Sequence, residues 1–140
     1  MSYQETLSTQ HRACDQAFTQ IERHAIRDEW DDALISLRRF VEDMNAHFYY
    51  EENELFPALS QVQPMVAAGP IPVMLTEHEQ MRELFDELAQ ALRDHDRELL
   101  ADSAQTLLFV MQQHNTKEEN VLYPLADREL PPYPSKSSVA

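Results

Sequence analysis

The sequence predicts an all-α protein, an up-down-up-down antiparallel four-helix bundle with a pseudo-twofold internal repeat. Apolar residues recur at helical spacing through four stretches of the 140-residue chain. The chain contains a single glycine, whereas the tight turns of an all-β fold require several. Histidines and glutamates also recur in the same order in the two halves of the chain. Together these observations favour two similar helical hairpins packed side by side.

The first predicted hairpin combines a helix over residues 4–27 with a helix over residues 30–61. Both stretches carry apolar side chains three or four positions apart, which places these side chains on one helical face. A polar stretch from Arg27 to Trp30 separates the two helices. We expect the turn of the hairpin there, at about residue 29.

The second predicted hairpin combines helices over residues 72–94 and 96–129, with its turn at about residue 96. Pro72 falls near the first turn of its helix, a position that favours proline. The link from Gln63 to Pro72 contains the glycine and several of the prolines, and it joins the two hairpins.

A single domain is predicted over residues 1–130, followed by a disordered tail over residues 131–140. A chain of this length can bury one core. The tail is rich in proline and serine, a composition that cannot bury enough apolar surface to fold.

The composition argues against nucleic-acid and membrane partners. A net charge of −14 repels phosphate backbones and anionic lipid surfaces. The N-terminus lacks the apolar core of a signal peptide, and no apolar run approaches the length of a membrane span. Cys14 is the single cysteine, so an internal disulfide is impossible and a reducing cytosol is suitable. We therefore expect a cytoplasmic protein.

The most informative pattern is a set of histidines and glutamates that repeats after 67 positions. The set consists of His11, His47 and Glu51 in the first half and His78, His114 and Glu118 in the second. The two histidines of each half are 36 residues apart, on either side of a predicted turn. They should therefore lie at the same height on antiparallel helices. Core residues such as Phe18 and Phe85 keep the same 67-residue interval, so the repeat extends to the packing.

Each half contains one His-x-x-x-Glu motif, His47 to Glu51 and His114 to Glu118. Residues four apart project from the same helical face. An imidazole nitrogen and a carboxylate oxygen of one motif can therefore reach one metal ion or two adjacent ions. Glu52 and Glu119 follow at i+5, about 140° around the helix from the histidine. We expect these two carboxylates to be solvated or to contact the ligands.

The residues that follow the His-x-x-x-Glu motif are also similar in the two halves. The halves read His47-x-x-x-Glu51-Glu52-Asn53-x-Leu55-Phe56-Pro57 and His114-x-x-x-Glu118-Glu119-Asn120-x-Leu122-Tyr123-Pro124. This pattern closely resembles the hemerythrin-like (HHE cation-binding) domain family, whose H-x-x-x-E-E-x-x-L-[FY]-P motif occurs twice. The resemblance covers roughly residues 5–128.

The resemblance implies a non-haem di-iron centre inside a four-helix bundle. The metal ligands that it implies are His11, His47, Glu51, His78, His114 and Glu118. In such proteins the two glutamates bridge the irons, and an oxo, hydroxo or water ligand usually completes the bridge. Imidazole and carboxylate ligands also accept manganese or zinc, so these metals stay open.

The third helix departs from the oxygen-carrying hemerythrins, which have a His-x-x-x-His pair there. Met74 stands four residues before His78, and Arg82 stands four residues after it. The resulting set of four histidines and two carboxylates is similar to that of the C-terminal domain of repair-of-iron-centres (RIC) proteins. Reversible O2 carriage is therefore disfavoured. A ferritin-like site needs a glutamate three residues before a histidine, and no histidine of this chain has an acidic residue there.

The resemblance implies a protein that handles reactive oxygen or nitrogen species (peroxide or NO), or iron, in stress defence. The alternative is a non-enzymatic module for O2 or NO binding, sensing or iron storage, and a third hypothesis is a structural bundle in which the site is vestigial or holds zinc. The expected small-molecule partners are O2, NO and H2O2. Whether the site turns over a substrate stays open, and no catalytic residue or protein partner is predicted.

Several residues near the predicted ligands allow two interpretations. Asp15 and Arg82, each four residues after the first histidine of its half, are exposed charges or pair with each other or with a ligand. Cys14 is expected to be a buried apolar residue. Pro57 and Pro124 should kink or end their helices, because proline lacks the backbone N–H and clashes with the preceding turn.

The remaining tyrosines and histidines are expected to be mainly structural. Tyr49, Tyr50 and Tyr123 could donate a hydrogen bond to a bound oxygen species, but we expect at least two of them simply to pack. His24 and His95 lie outside the repeat, and we expect both at the surface.

Overall fold

The computed structural model describes residues 1–134, and within this range the chain is all-helical, as predicted. The helices are α1 (Tyr3–Ile26), α2 (Trp30–Tyr50), α3 (Phe56–Val62), α4 (Pro64–Ala68), α5 (Pro70–Arg93), α6 (Arg97–Lys117) and α7 (Tyr123–Glu129). Two π-helical segments, π1 (Glu51–Leu55) and π2 (Glu118–Leu122), connect α2 to α3 and α6 to α7. None of the helices within residues 1–134 has the length and apolar character that crossing a membrane requires.

The long helices form a bundle around a shared core. Helix α1 packs against α2, α5 packs against α6, and α2 packs against α5. The segments α2–π1–α3 and α6–π2–α7 each run as one continuous helical stretch, because the connecting residues keep right-handed helical backbone angles. The four predicted helical stretches are therefore confirmed. The link between the hairpins differs from the prediction, since it contains the short helix α4.

Both hairpin turns end the preceding helix in the same way. Asp28 and His95, 67 residues apart, adopt positive φ angles of 60° and 53°. After α1, the N–H of Glu29 donates to His24 O and the N–H of Asp28 donates to Ala25 O, at 2.9 and 3.1 Å. This is the Schellman arrangement, which satisfies the last carbonyl groups of a helix. The turns predicted at residues 29 and 96 are confirmed.

The core consists of two apolar clusters with a polar layer between them. One cluster extends towards the hairpin turns and includes Phe18, Phe40 and Phe85. The other lies at the opposite end of the long helices and includes Leu7 and Met74. On each long helical stretch, the predicted metal ligands lie near the point where residues of one cluster are followed by residues of the other. The polar layer is therefore enclosed by apolar side chains on both sides.

The helices continue past the prolines of both motifs instead of ending there. Pro57 and Pro124 each follow closely on a π-helical segment, in which the N–H of Phe56 donates to Glu51 O and that of Tyr123 donates to Glu118 O. A π-turn adds one residue to the helical ring. This wider turn accommodates the missing N–H and the ring of the proline, which a regular α-helix does not.

Residues near both ends of the described range meet at one end of the bundle. The backbone N–H of Tyr3 donates to Asp127 Oδ1 at 2.7 Å, and its phenol ring packs against Tyr133, with 5.3 Å between centroids. Residues 131–134 of the predicted tail are not helical. The rest of that tail lies outside the described residues, and the domain boundary at residue 130 stays a prediction.

Candidate metal centre

The six predicted ligands meet in the polar layer, and all six side chains are buried. They form two overlapping groups, and within each group one nitrogen or oxygen atom per residue lies within 4.8 Å of all the others. The first group is His11, His47, Glu51 and Glu118, and the second is Glu51, His78, His114 and Glu118. The two glutamates belong to both groups, so the two groups are adjacent and share two carboxylates.

The Glu51 carboxylate extends from one group to the other. Its Oε1 atom lies 3.1 Å from His78 Nε2, and its Oε2 atom lies 3.2 Å from His47 Nε2. In the second motif, Glu118 Oε1 lies 3.1 Å from His11 Nε2 and 3.2 Å from His114 Nε2. The Nε2 atoms of all four histidines therefore face the shared carboxylates.

The Nδ1 atoms point outwards, and each has an acceptor. Glu52 Oε2 accepts from His78 Nδ1 and Glu119 Oε2 accepts from His11 Nδ1, both at 2.7 Å. A carboxylate acceptor requires the proton on Nδ1, which leaves the Nε2 lone pair free to bind a metal. Of the two interpretations of Glu52 and Glu119, the contact with the ligands is the one observed.

The other two histidines use acceptors that the sequence analysis missed. Gln10 Oε1 accepts from His47 Nδ1 at 2.7 Å, and Glu77 Oε1 accepts from His114 Nδ1 at 2.9 Å. Residues 10 and 77 are also 67 positions apart and each directly precedes a predicted ligand. The 67-residue repeat was the signal that could have identified Gln10 and Glu77. Each of these side chains, however, accepts from the histidine of the neighbouring helix and not from the histidine that follows it in the sequence.

Tyr123 places its hydroxyl group inside the first group. The hydroxyl oxygen lies 2.6 Å from Glu51 Oε2 and 2.9 Å from Glu118 Oε1, and it is 3.0 Å from His11 Nε2. Burial, followed by the charges of Glu51 and Glu118, raises the pKa of Tyr123 well above its ordinary value. Tyr49 is exposed and Tyr50 packs beside the second apolar cluster, so Tyr123 is the tyrosine whose hydroxyl faces the cluster.

The cluster favours positive charge at its centre. Burial lowers the pKa of His114, but the carboxylates of Glu118 and Glu77 outweigh burial and raise it to about 10. Burial opposes ionisation of Glu51, yet His47 and the hydrogen bonds to Glu51 hold the pKa of its carboxyl group well below the usual value. The raised pKa means that His114 holds an extra proton beside these carboxylates. A metal cation bound in the cluster neutralises the same carboxylates and displaces that proton.

Two buried atoms of the second group provide a test of whether a metal fits. Among the described residues, His114 Nε2 lies 3.2 Å from Glu118 Oε1, yet neither His114 Nε2 nor Glu118 Oε2 has a partner in hydrogen-bonding geometry. Buried polar atoms without a partner are rare, and an imidazole nitrogen beside carboxylate oxygens is a common donor set for transition-metal ions. The residues therefore fit a metal ion.

Asp15 and Arg82, the charged residues at equivalent positions of the two halves, do not pair with each other. Arg82 Nη2 donates to Glu52 Oε1 at 3.1 Å, so it reaches His78 through Glu52. Asp15 lies in a groove between α1 and α6 that also contains His11. The interpretation of Asp15 and Arg82 as a pair is therefore wrong.

The prediction that at least two of Tyr49, Tyr50 and Tyr123 simply pack is wrong, because only Tyr50 does so. The predictions for Cys14, His24 and His95 agree with the structure. Cys14 is buried, as expected. His24 is partly exposed and bonds to Glu29, whereas His95 is exposed and stacks on Trp30 with 4.8 Å between ring centroids. Neither histidine contributes to the polar layer.

Comparison with known proteins identifies the family. The chain matches the hemerythrin HHE cation binding domain over residues 3–126, and it belongs to this family. It is similar to the iron-sulfur cluster repair protein YtfE of Salmonella typhimurium, with 28% identity over 93 residues, which are 61% of this chain and 42% of that protein. The proteins of the same name from Salmonella paratyphi B and Salmonella newport match with the same identity and coverage.

The match to these curated relatives covers less than half of their length. No solved structure matches the chain at a significant level. The family and the buried histidine–glutamate cluster together indicate a metal-binding domain, for which iron is the typical metal.

Proposed function

We propose that the six clustered residues bind two iron ions as a non-haem di-iron centre, within an up-down-up-down four-helix bundle. The observation that supports this most directly is the overlap of the two groups, because both contain Glu51 and Glu118. Each position would be held by two histidines, and the two carboxylates would be shared. The pair of ions would supply redox chemistry towards O2, peroxide or NO when bound.

We further propose that the protein handles reactive oxygen or nitrogen species, or iron, in stress defence. Membership of a cation-binding family and the similarity to proteins named for iron–sulfur cluster repair support this proposal. The chain itself contributes an enclosed, largely apolar setting and four histidines that are oriented through their Nδ1 atoms. Peroxide and NO are the small molecules of choice for activity assays. The predicted cytoplasmic location and lack of nucleic-acid partners stay predictions.

Non-enzymatic binding of O2 or NO is the second candidate function. The hydroxyl of Tyr123 lies inside the first group, 2.6 Å from Glu51 Oε2. A phenol hydroxyl at this place can donate a hydrogen bond to a small oxygen- or nitrogen-containing ligand. Stable binding without product formation in the peroxide and NO assays would favour this function.

Metal analysis of the purified protein tests the di-iron proposal. Protein produced with added iron should contain close to two irons per chain, and the variants Glu51→Ala and Glu118→Ala should contain clearly less. Glu54→Ala removes an exposed carboxylate three residues beyond Glu51, and it should keep the wild-type iron content. Two irons in either ligand variant would show that the carboxylate is not shared. Zinc, or no metal in the wild type, would contradict the di-iron centre.

A further inference from the structure

The two halves of the polar layer are covered differently from the outside. On the side of the second group, the ring of Phe48 stacks on His78, with 3.9 Å between centroids and 17° between planes. The residue that corresponds to Phe48 in the other half is Asn115, 67 positions later. His11, which corresponds to His78, therefore has a small polar residue at the position where His78 has an aromatic ring.

Arg82 adds a second layer over Phe48. Its guanidinium carbon lies 5.2 Å from the centroid of the Phe48 ring, and the same guanidinium group is bonded to Glu52. As a result, His78 is completely buried. A groove between α2 and α5, with a volume of about 430 Å³, reaches Glu52 and Arg82 but not His78.

The corresponding groove between α1 and α6 does reach a predicted ligand. It has a volume of about 510 Å³, and its lining includes His11, Asp15, Asn115 and Glu119. Asp15 takes the place that Arg82 holds in the other half. Opposite charges thus occupy the same position of the two grooves.

The groove beside His11 is also acidic. Asp15, Glu22 and Glu119 line it, with Arg12 as the single basic residue among the lining residues. A cleft lined mainly by one sign of charge raises the local concentration of the opposite ion. A hydrated divalent cation is therefore drawn to this groove, where Glu119 is directly bonded to His11 Nδ1.

We propose that this groove is the route by which divalent metal enters and leaves the cluster. The position held by His11 and His47 then exchanges its ion faster than the position held by His78 and His114, which Phe48 and Arg82 cover. This inference rests on the proposed two-metal centre. It concerns only the making and breaking of metal–ligand bonds, without oxidation or reduction.

Metal release to a chelator tests the proposal. Protein loaded with ferrous ion under anaerobic conditions is mixed with excess chelator, and the coloured complex is followed over time. We expect two phases of equal amplitude, with rate constants that differ by tenfold or more. Asn115→Phe should slow the fast phase at least tenfold, because it places an aromatic ring where Phe48 covers the other half. Phe48→Asn should speed the slow phase.

Asn45→Phe is the matched control, because Asn45 is exposed and lines the groove that does not reach His78. It should leave both phases unchanged. Phe48→Asn removes a buried ring and can destabilise the fold, so Asn115→Phe, which alters a groove residue, is the decisive variant.

The same experiment separates the two proposals. Two ions released at one rate, or two phases that Asn115→Phe leaves unchanged, would overturn the route while leaving the two-metal centre intact. A total well below two ions per chain, measured after urea unfolding of the saturated wild type in the presence of the chelator, would overturn the two-metal centre itself.

Discussion

Tyr123 and Phe56 occupy the same position in the two halves of the repeat, but only Tyr123 brings a hydroxyl group into the cluster. Its oxygen lies 2.6 Å from Glu51 Oε2, whereas the ring of Phe56 lies 6.0 Å from that of His78. The first group of clustered residues thus has a hydrogen-bond donor beside it, and the second has an apolar neighbour. The pseudo-twofold symmetry of the six clustered residues does not extend to the groups around them.

Replacing Tyr123 by phenylalanine should destabilise the metal-free protein by about 1–3 kcal/mol, because the buried Glu51 carboxylate, 2.6 Å from the hydroxyl oxygen, loses a hydrogen-bond donor. Urea unfolding of the metal-free variant and of the wild type measures this difference. Tyr49→Phe is the control, since Tyr49 is exposed and its hydroxyl should contribute little. Equal stability of the Tyr123 variant and the wild type would mean that its hydroxyl does not hold the Glu51 carboxylate.

The outward hydrogen bonds of the histidines should contribute to metal affinity. Glu77→Ala removes the acceptor of His114 Nδ1 and should lower the affinity of the second group about 10–100-fold, as loss of such partners typically does. Glu77→Gln should retain most of the affinity, because Gln10 has the same role towards His47 in the other half. Competition with a chelator of known affinity measures both variants. A similar loss in both would indicate that the negative charge matters, and not the orientation of the ring.

The helices and the meeting of the six residues could be predicted from the sequence because they depend on periodicity. Apolar spacing defines the helices, and equal distances from the two turns bring the histidines to one level. Short polar stretches indicate where the turns lie. These features depend only on the spacing of residues along the chain, which the sequence shows directly.

The π-helical segments could not be predicted in the same way. Pro57 and Pro124 indicate a disturbed helix, but a proline alone does not decide between a helix that ends and a turn that widens. The partners of the Nδ1 atoms depend on side-chain contacts between neighbouring helices. Gln10 directly precedes His11 in the sequence, yet it bonds to His47.

Cys14 should react slowly with thiol reagents in the folded protein. Burial, with smaller contributions from Asp43 and Asp15, raises the pKa of this thiol to about 11. At pH 8, only roughly one chain in a thousand then carries the reactive thiolate. Absorbance after addition of an aromatic disulfide reagent measures the rate, with urea-unfolded protein as the fast reference. Equal rates in the folded and unfolded protein would contradict the burial of Cys14.

Removing the metal should lower the temperature of thermal unfolding by roughly 10 °C. A ligand present at 100 times its Kd stabilises the folded state by about 2.7 kcal/mol, and 1 kcal/mol shifts the unfolding temperature of a chain of this size by about 3–5 °C. Calorimetry before and after chelation measures the shift. The double variant Glu51→Ala/Glu118→Ala, which lacks both shared carboxylates, should show little change on chelation. If the loaded wild type unfolds at the same temperature with and without its metal, the ion does not bind the folded cluster preferentially.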